Sequence, residues 1–429
     1  MTGVSCAPGF KSRPRDAMKT IAILGTMDTK GAEHGFVAEL IRQRGHQVLI
    51  IDVGTLGVPG INPDISRTEV AAAIGLDAAG LAAKRDRGQA VTAMSEGAPV
   101  LLARLVEERR IDGVISLGGG GGTAIATAAM RALPVGFPKL MVSTLASGNV
   151  APYVGVKDIV MFPSIVDVAG LNRLSRMLLA RAAGAICGMV EQPLPPVGDK
   201  PVIVASQFGN TTACVEQARK ILEAAGYEVL VFAATGTGGR TMESLIETGL
   251  VAGVLDVTTT EWADELVGGV LAAGATRLEA AARHGVPAVV STGCLDMVNF
   301  GERSTVPSKF AGRKFYQHNP QVTLMRTSPE ECAQLGAVLA DKLNGSTGSV
   351  LVLLPLRGGS GIGAPGGPFH DPVADNALYS TLKSRLRPDI EVRELDCAIN
   401  DPVFAQAAAQ GLLRAIKGVN GDHTSPLSG

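Results

Sequence analysis

The residues best suited to bind a ligand are five consecutive glycines at positions 118–122, followed directly by Thr123. They connect a short apolar segment at 114–117, which predicts a buried strand, to an alanine-rich helical pattern at 124–132. A strand that enters a helix through glycines leaves the backbone N–H groups of the helix N-terminus uncovered, and such amides bind phosphate. The run matches neither the Walker A pattern nor the dinucleotide-binding fingerprint, so a tight turn without a ligand is the alternative.

Two further loops carry small polar residues, and we expect them at the same edge of a sheet. One is Gly-Thr-Met-Asp-Thr-Lys at 25–30, and the other lies at 143–149; each follows a predicted strand. In open parallel sheets, ligands lie beyond the carboxyl ends of the strands. The predicted phosphate-binding residues are Thr26, Asp28, Thr29, Lys30, Gly119, Gly120, Gly121, Gly122, Thr123, Ser147, Gly148 and Asn149.

Two residues of the first loop carry charges with different predicted roles. Lys30 would place a positive charge against the phosphate, and Asp28 would contact a Mg²⁺ ion or a water molecule. The alternative for Asp28 or Thr29 is an ordinary helix N-cap.

The second half of the chain offers weaker candidates for catalysis. Cys294 at a strand end could be a nucleophile, although a lone cysteine is more often a core residue. Arg357 beside a glycine nest could bind a carboxylate or phosphate, and a surface salt bridge is the alternative. His318 could be an acid–base or interface residue, with structural hydrogen bonding as the alternative. His370 and Asp371 could ligate a metal, but two adjacent residues do not make a metal site.

A strand–helix–strand pattern occurs twice along the chain, which predicts the fold. The segment at 20–52 recurs at 201–232, with Gly45 and Gly226 in equivalent places. Two later apolar segments also have counterparts in the same order: 112–118 resembles 251–257, and 137–144 resembles 286–292. The sequence therefore predicts two doubly wound, Rossmann-like α/β domains of related topology, produced by an internal duplication, with a cleft between them.

Composition places the domain boundary and the mobile ends. A proline-rich linker at 191–200 separates a first domain at 18–190 from a second at 201–417. We expect the extension at 1–17 and the tail at 418–429 to be disordered.

Charge, hydropathy and cysteine usage restrict the cellular role. The 39 basic and 40 acidic residues give a net charge of −1, so nucleic-acid binding is not expected. We find no apolar run near the ~18 residues that cross a membrane and no secretory signal. The six cysteines show no Cys-x-x-Cys spacing, which predicts a reduced, cytoplasmic protein and argues against a structural zinc site.

Four motifs together resemble a bacterial and fungal protein family whose plant member is the tomato mosaic virus resistance protein. They lie at 25–30, 117–123, 143–148 and 318–327, and the resemblance extends from about Met18 to Lys417. It implies a nucleotide-binding region of two α/β halves, which in the plant protein binds ATP and the viral replication helicase, and it implies homodimers. The plant protein's additional carboxyl-terminal barrel has no counterpart in this chain, so its activity is not carried over.

The sequence thus predicts an ATP-binding protein that holds the triphosphate in the three loops of the first domain, with or without Mg²⁺. Two alternatives stay open. One is an enzyme acting on a small phosphorylated or carboxylated metabolite in the cleft. The other is an ATP-dependent module that binds a protein partner.

Overall fold

The computed structural model describes residues 18–55, 57–76, 87–194 and 198–421. These residues form two compact α/β units, the first described over 18–194 with the gaps given above and the second over 198–421. The predicted extension at 1–17 lies outside the described residues, as do 422–429 of the predicted tail. Among the described residues, we find no helix long and apolar enough to cross a lipid bilayer.

The first unit is a five-stranded parallel sheet in the order β2-β1-β3-β4-β5. Its strands are β1 (Thr20–Gly25), β2 (Gln47–Asp52), β3 (Gly113–Gly118), β4 (Lys139–Ser143) and β5 (Val160–Pro163). Its helices are α1 (Met27–Gln43), α2 (Arg67–Ala72), α3 (Arg87–Glu107), α4 (Gly120–Arg131), α5 (Ala151–Val154) and α6 (Arg173–Glu191).

Helices cover both faces of this sheet, which explains why its central strands read as continuous apolar runs. In β1, Ala22 and Leu24 pack into one buried cluster, whereas Ile21 and Ile23 pack into another on the opposite face. Side chains alternate between the two faces of a strand, so a strand covered on both sides needs apolar residues at every position.

The second unit contains a six-stranded parallel sheet in the order β14-β13-β9-β8-β6-β7. Its strands are β6 (Val202–Gln207), β7 (Glu228–Ala233), β8 (Val251–Thr258), β9 (Ala288–Gly293), β13 (Val350–Pro355) and β14 (Glu391–Leu395). Its helices are α7 (Thr212–Ala224), α8 (Thr237–Ile246), α9 (Glu261–Val267), α10 (Ala280–His284), α11 (Pro329–Asn344), α12 (Pro372–Arg385) and α13 (Pro402–Gly421).

The two sheets share a strand order, so the predicted pair of doubly wound domains with related topology is confirmed. In each unit the first strand lies between the second and the third. The fourth strand pairs with the third, and the fifth pairs with the fourth. Each segment pair matched in the sequence corresponds to strands at equivalent positions: β1 to β6, β2 to β7, β3 to β8 and β4 to β9.

The second unit also contains a separate antiparallel sheet, in which β12 (Val322–Arg326) lies between β10 (Met297–Phe300) and β11 (Phe315–Asn319). Periodicity identifies a strand but not its partner, so the sequence pattern does not predict this sheet. In addition, helix α13 continues to Gly421, so 418–421 are helical rather than part of a disordered tail.

Burial of Asp264 in the second unit makes the stability of the fold depend on pH. Its Oδ1 accepts a hydrogen bond from the Asn299 backbone N–H at 2.6 Å, and the side chain is fully buried. Burial raises the pKa of Asp264 from 3.8 to about 7. The folded state therefore holds a proton that the unfolded state releases between about pH 4 and pH 7, and this group's contribution to stability is lost as the pH rises through that range.

We predict that the free energy of unfolding of the native protein, minus that of Asp264→Asn, decreases as the pH rises from 4 to 8. The asparagine does not titrate, so the difference isolates the carboxyl group. Urea unfolding of both proteins at several pH values measures it. A difference that stays constant over this range would contradict the prediction.

Candidate functional site

The three predicted phosphate loops lie at the carboxyl ends of adjacent strands of the first sheet. The loop at 26–30 follows β1, the glycine loop follows β3, and the loop at 144–150 follows β4. Strand β3 pairs with β1 on one side and with β4 on the other. In this strand order, β1 and β3 flank the topological switch point, where the connections leave in opposite directions and where doubly wound folds bind their ligands.

The glycine loop contains one glycine that packing explains, Gly118, and two that stand beside open space, Gly120 and Gly121. A Cβ added to Gly118 would lie 3.1 Å from the Gly122 Cα, so the tight turn needs its smallest residue there. Gly120 and Gly121 form the exposed first turn of α4, and a Cβ on either would meet no atom within 4 Å. The space above these two residues is therefore open, and the first amides of the helix face it without an intrahelical acceptor.

Thr123 is buried and joins the glycine loop to the loop after β4. Its Oγ1 lies 2.7 Å from the Ser143 Oγ, which in turn accepts a hydrogen bond from the Leu145 backbone N–H at 3.0 Å. The hydroxyl of Thr123 is thus used to hold the two loops in register. The backbone N–H of Thr123 donates to the Gly119 carbonyl oxygen at 2.9 Å, so this amide also has a partner within the loop. A direct contact between Thr123 and a phosphate stays a prediction.

The loop after β4 presents one exposed hydroxyl that the sequence analysis left out. Thr144 is exposed, and its Oγ1 lies 3.7 Å from the position that a Cβ on Gly119 would take. The sequence alone could have identified Thr144 as a residue of the sheet edge, because it directly follows the end of β4. The predicted residues Ser147, Gly148 and Asn149 are also exposed, and the Asn149 Oδ1 accepts a hydrogen bond from the Ala151 backbone N–H at 3.2 Å.

The loop after β1 contributes hydroxyls and an amine. Thr26 is the N-cap of α1, and the Thr29 Oγ1 donates to the Thr26 Oγ1 at 2.9 Å. Lys30 interrupts the helix with non-helical backbone angles (φ −133°, ψ 27°), and its Nζ donates to the Val168 carbonyl oxygen.

The carboxylate of Asp28 makes hydrogen bonds within the protein that the sequence did not predict. Its side chain is 2% exposed, and Oδ2 accepts hydrogen bonds from the backbone N–H groups of Thr55 and Gly57, both at 3.0 Å. The guanidinium of Arg67 lies 3.7 Å from the same oxygen and forms a closer ion pair with Asp52, at 2.7 Å. Asp28 thus fixes the loop after β2 against α1.

The four candidate catalytic residues of the second unit differ in their burial and in their contacts. Arg357 makes a bidentate, exposed ion pair with Asp396 (2.7 and 2.8 Å), the salt bridge that the sequence left open. Cys294 is fully buried in an apolar cluster, and burial raises the pKa of its thiol well above the usual value, which disfavours the nucleophilic thiolate. His318 lies on the exposed strand β11, and His370 is exposed with its Nδ1 3.2 Å from the Gly363 carbonyl oxygen.

Comparison with known proteins places the chain in a family. The family model described as "Uncharacterised protein family (UPF0261) N-terminal domain" matches residues 19–195, and its C-terminal counterpart matches 200–416. A UPF0261 protein of Clostridium tetani is 50% identical over 401 residues, which cover 93% of this chain and 99% of the relative. This chain belongs to the UPF0261 family.

The tomato relatives confirm the predicted link to the plant protein. The ToMV susceptible protein tm-1(GCR26) of Solanum lycopersicum is 38% identical over 416 residues, which cover 91% of this UPF0261 chain but 55% of the tomato protein. The ToMV resistance protein Tm-1(GCR237) is 43% identical over 335 residues, covering 76% of this chain and 44% of that protein.

A buried histidine beneath the first loop of this UPF0261 protein was also missed by the sequence analysis. His34 is fully buried, its Nδ1 lies 2.7 Å from the Lys30 carbonyl oxygen, and desolvation lowers its pKa. Its Nε2 has no hydrogen-bond partner within the described part of the chain. A Cβ on Gly25 would lie 2.0 Å from this nitrogen, so Gly25 is required at the end of β1 for the ring to fit.

We predict that Gly25→Ala destabilises the first unit by about 1–3 kcal/mol through overpacking against His34. In a His34→Ala background, the same substitution should cost less than about 0.5 kcal/mol, because the ring it would strike is gone. Urea unfolding of the four proteins in this double-mutant cycle gives the coupling. Equal costs in both backgrounds would show that His34 does not determine the choice of glycine.

Proposed function

We propose that this protein binds ATP, with the triphosphate held by the loops that follow β1, β3 and β4. The observation that carries the proposal is the open space above Gly120 and Gly121, where neither packing nor backbone conformation requires glycine. A helix that begins with uncovered amides offers several N–H donors and the positive end of its dipole to one anion.

The neighbouring groups also suit a polyphosphate. Thr144 and Thr26 supply hydroxyls at the ends of β4 and β1, on either side of the glycine loop. Lys30, in the loop after β1, is the candidate counter-charge, and its Nζ donates to the Val168 carbonyl oxygen. The resemblance to the plant resistance protein supports the same ligand, because that resemblance implies ATP binding.

The surroundings of Asp28 do not fit a magnesium ligand. Its Oδ2 already accepts two backbone hydrogen bonds, and the cationic Arg67 lies beside it. A second cation would have to displace these contacts at a carboxylate that is almost fully buried. We therefore propose that the chain holds the phosphates through amides, hydroxyls and Lys30, and we assign no metal to Asp28.

Titration calorimetry of the full chain with ATP, tripolyphosphate and adenosine tests the proposal. We expect ATP and tripolyphosphate to bind with comparable affinity, and adenosine to bind at least about tenfold more weakly, because the phosphates make the main contacts. Adenosine binding as tightly as ATP would reject the phosphate site, and the absence of ATP binding would reject the function.

A further inference from the structure

Three residues with metal-binding side chains meet at the opposite edge of the first sheet. His46 directly precedes β2, so it lies at the amino ends of the strands, away from the glycine loop. Cys187 and Glu191 lie near the end of α6, four residues apart and therefore on the same face of the helix. The cluster joins residues that are more than 140 positions apart in the chain, which is why cysteine spacing gave no sign of it.

The donor atoms already lie close to the arrangement that an ion requires. One atom each from His46, Cys187 and Glu191 lies within 4.8 Å of the other two. The His46 Nε2 is 2.9 Å from the Glu191 Oε1. Ligand atoms of a tetrahedral zinc site with bonds of 2.0–2.1 Å are roughly 3.3 Å apart. A small outward movement of the ring and carboxylate would therefore admit the ion.

We propose that His46, Cys187 and Glu191 bind a zinc ion, with a water molecule in the fourth position. Thiolate, imidazole and carboxylate are the three ligand types that zinc takes in proteins, whereas magnesium and calcium select oxygen ligands. The Glu191 side chain is 36% exposed, which gives the ion a path from solvent. The His46 Nδ1 is buried and has no hydrogen-bond partner among the residues described, so the ring is not fixed by another contact there.

The neighbouring arginine is compatible with a metal on Glu191. Arg44 donates to both carboxylate oxygens, at 3.2 Å to Oε1 and 3.1 Å to Oε2. When Oε1 binds the ion, Oε2 keeps the guanidinium, and a hydrogen-bonded partner of this kind orients a metal-binding carboxylate.

A plain ion pair is the competing explanation for this cluster. The contacts of Arg44 and His46 with Glu191 would by themselves link the turn before β2 to the end of α6. The two explanations differ in the role of Cys187, which an ion pair does not use and a zinc site requires.

Cobalt and zinc titrations of the chelator-treated full chain decide between them. We expect one equivalent of Co²⁺ to produce a thiolate-to-cobalt charge-transfer absorption, and one equivalent of Zn²⁺ to abolish it. Cys187→Ser should remove the absorption and weaken zinc binding by roughly 10–100-fold or more. Cys397→Ser, at a buried cysteine of the second unit, is the matched control and should leave both unchanged.

Thermal unfolding shows whether each variant is folded and whether zinc stabilises it. Zinc should raise the unfolding temperature of the native chain and of Cys397→Ser, but not that of Cys187→Ser, because only a folded, intact site gains from the ion. If Cys187→Ser does not fold, Glu191→Gln provides the same comparison from a partly exposed position. No charge-transfer absorption in the native chain, or an absorption that persists in Cys187→Ser, would overturn the proposal.

Discussion

Replacing Gly121 with valine should weaken ATP binding by at least about tenfold while leaving the fold intact. A Cβ added at this position meets no atom within 4 Å, so there is room for a side chain on the solvent side of the loop. Valine also favours helical structure more than glycine does, so the first turn of α4 should not lose stability. The isopropyl group would instead occupy the open space and cover the amides that we assign to the phosphate.

Gly184→Val is the matched control for this experiment. Gly184 lies inside helix α6, where an added Cβ also meets nothing within 4 Å, but it is not part of any of the three loops. Calorimetry with ATP should show native affinity for this variant, and thermal unfolding should show that both variants are folded. An unchanged affinity in Gly121→Val would remove the glycine loop from the site.

The sequence predicted which loops lie at the carboxyl ends of the first sheet's strands, because apolar runs identify the strands and a parallel topology places their ends together. Each strand of the first sheet is a short apolar run, and the residue after it is necessarily at the carboxyl edge once the sheet is parallel. The positions of the glycine loop and of Thr144 follow from this rule alone. It extends to the second unit, where equivalent strands occupy equivalent places.

The roles of individual side chains could not be obtained in the same way. Asp28 reads as a helix-start residue, and only the folded chain shows that the amides of Thr55 and Gly57 occupy its carboxylate. The contact of His34 with Gly25, and that of His46 with Glu191, each join residues from different elements. Such contacts depend on how helices pack on the sheet, and helical periodicity defines a buried face without naming its neighbours.

The buried arginine of the second unit, Arg277, makes contacts that the sequence pattern does not predict. Arg277 is 1% exposed and is surrounded by three carboxylates. Its Nε donates to Glu261 at 2.7 Å, its Nη2 to Asp256 at 2.7 Å, and its Nη1 to Glu243 at 3.2 Å. The guanidinium neutralises charges that would otherwise repel each other in a medium of low dielectric constant.

The carboxylates also hold the surrounding backbone, so loss of the arginine should affect more than one ion pair. Glu243 accepts hydrogen bonds from the backbone N–H groups of Leu278 and Ala280 (2.8 and 2.7 Å), and Glu261 accepts one from Gly236 at 2.7 Å. Without the guanidinium, these groups must take up protons or water, and either change weakens the loops that they anchor.

We therefore predict that Arg277→Met destabilises the second unit by about 3–5 kcal/mol, since it leaves buried carboxylates without a counter-charge. Arg277→Lys should fall between this variant and the native protein, because it keeps the charge but loses the bidentate contact with Asp256. Arg283→Met is the control: its side chain is 49% exposed, and loss of its surface pairs should cost at most about 1 kcal/mol. Urea unfolding of the three variants measures the difference. An Arg277→Met protein no less stable than Arg283→Met would show that the buried network adds nothing to the fold, and the lysine variant keeps the comparison available if the methionine variant does not fold.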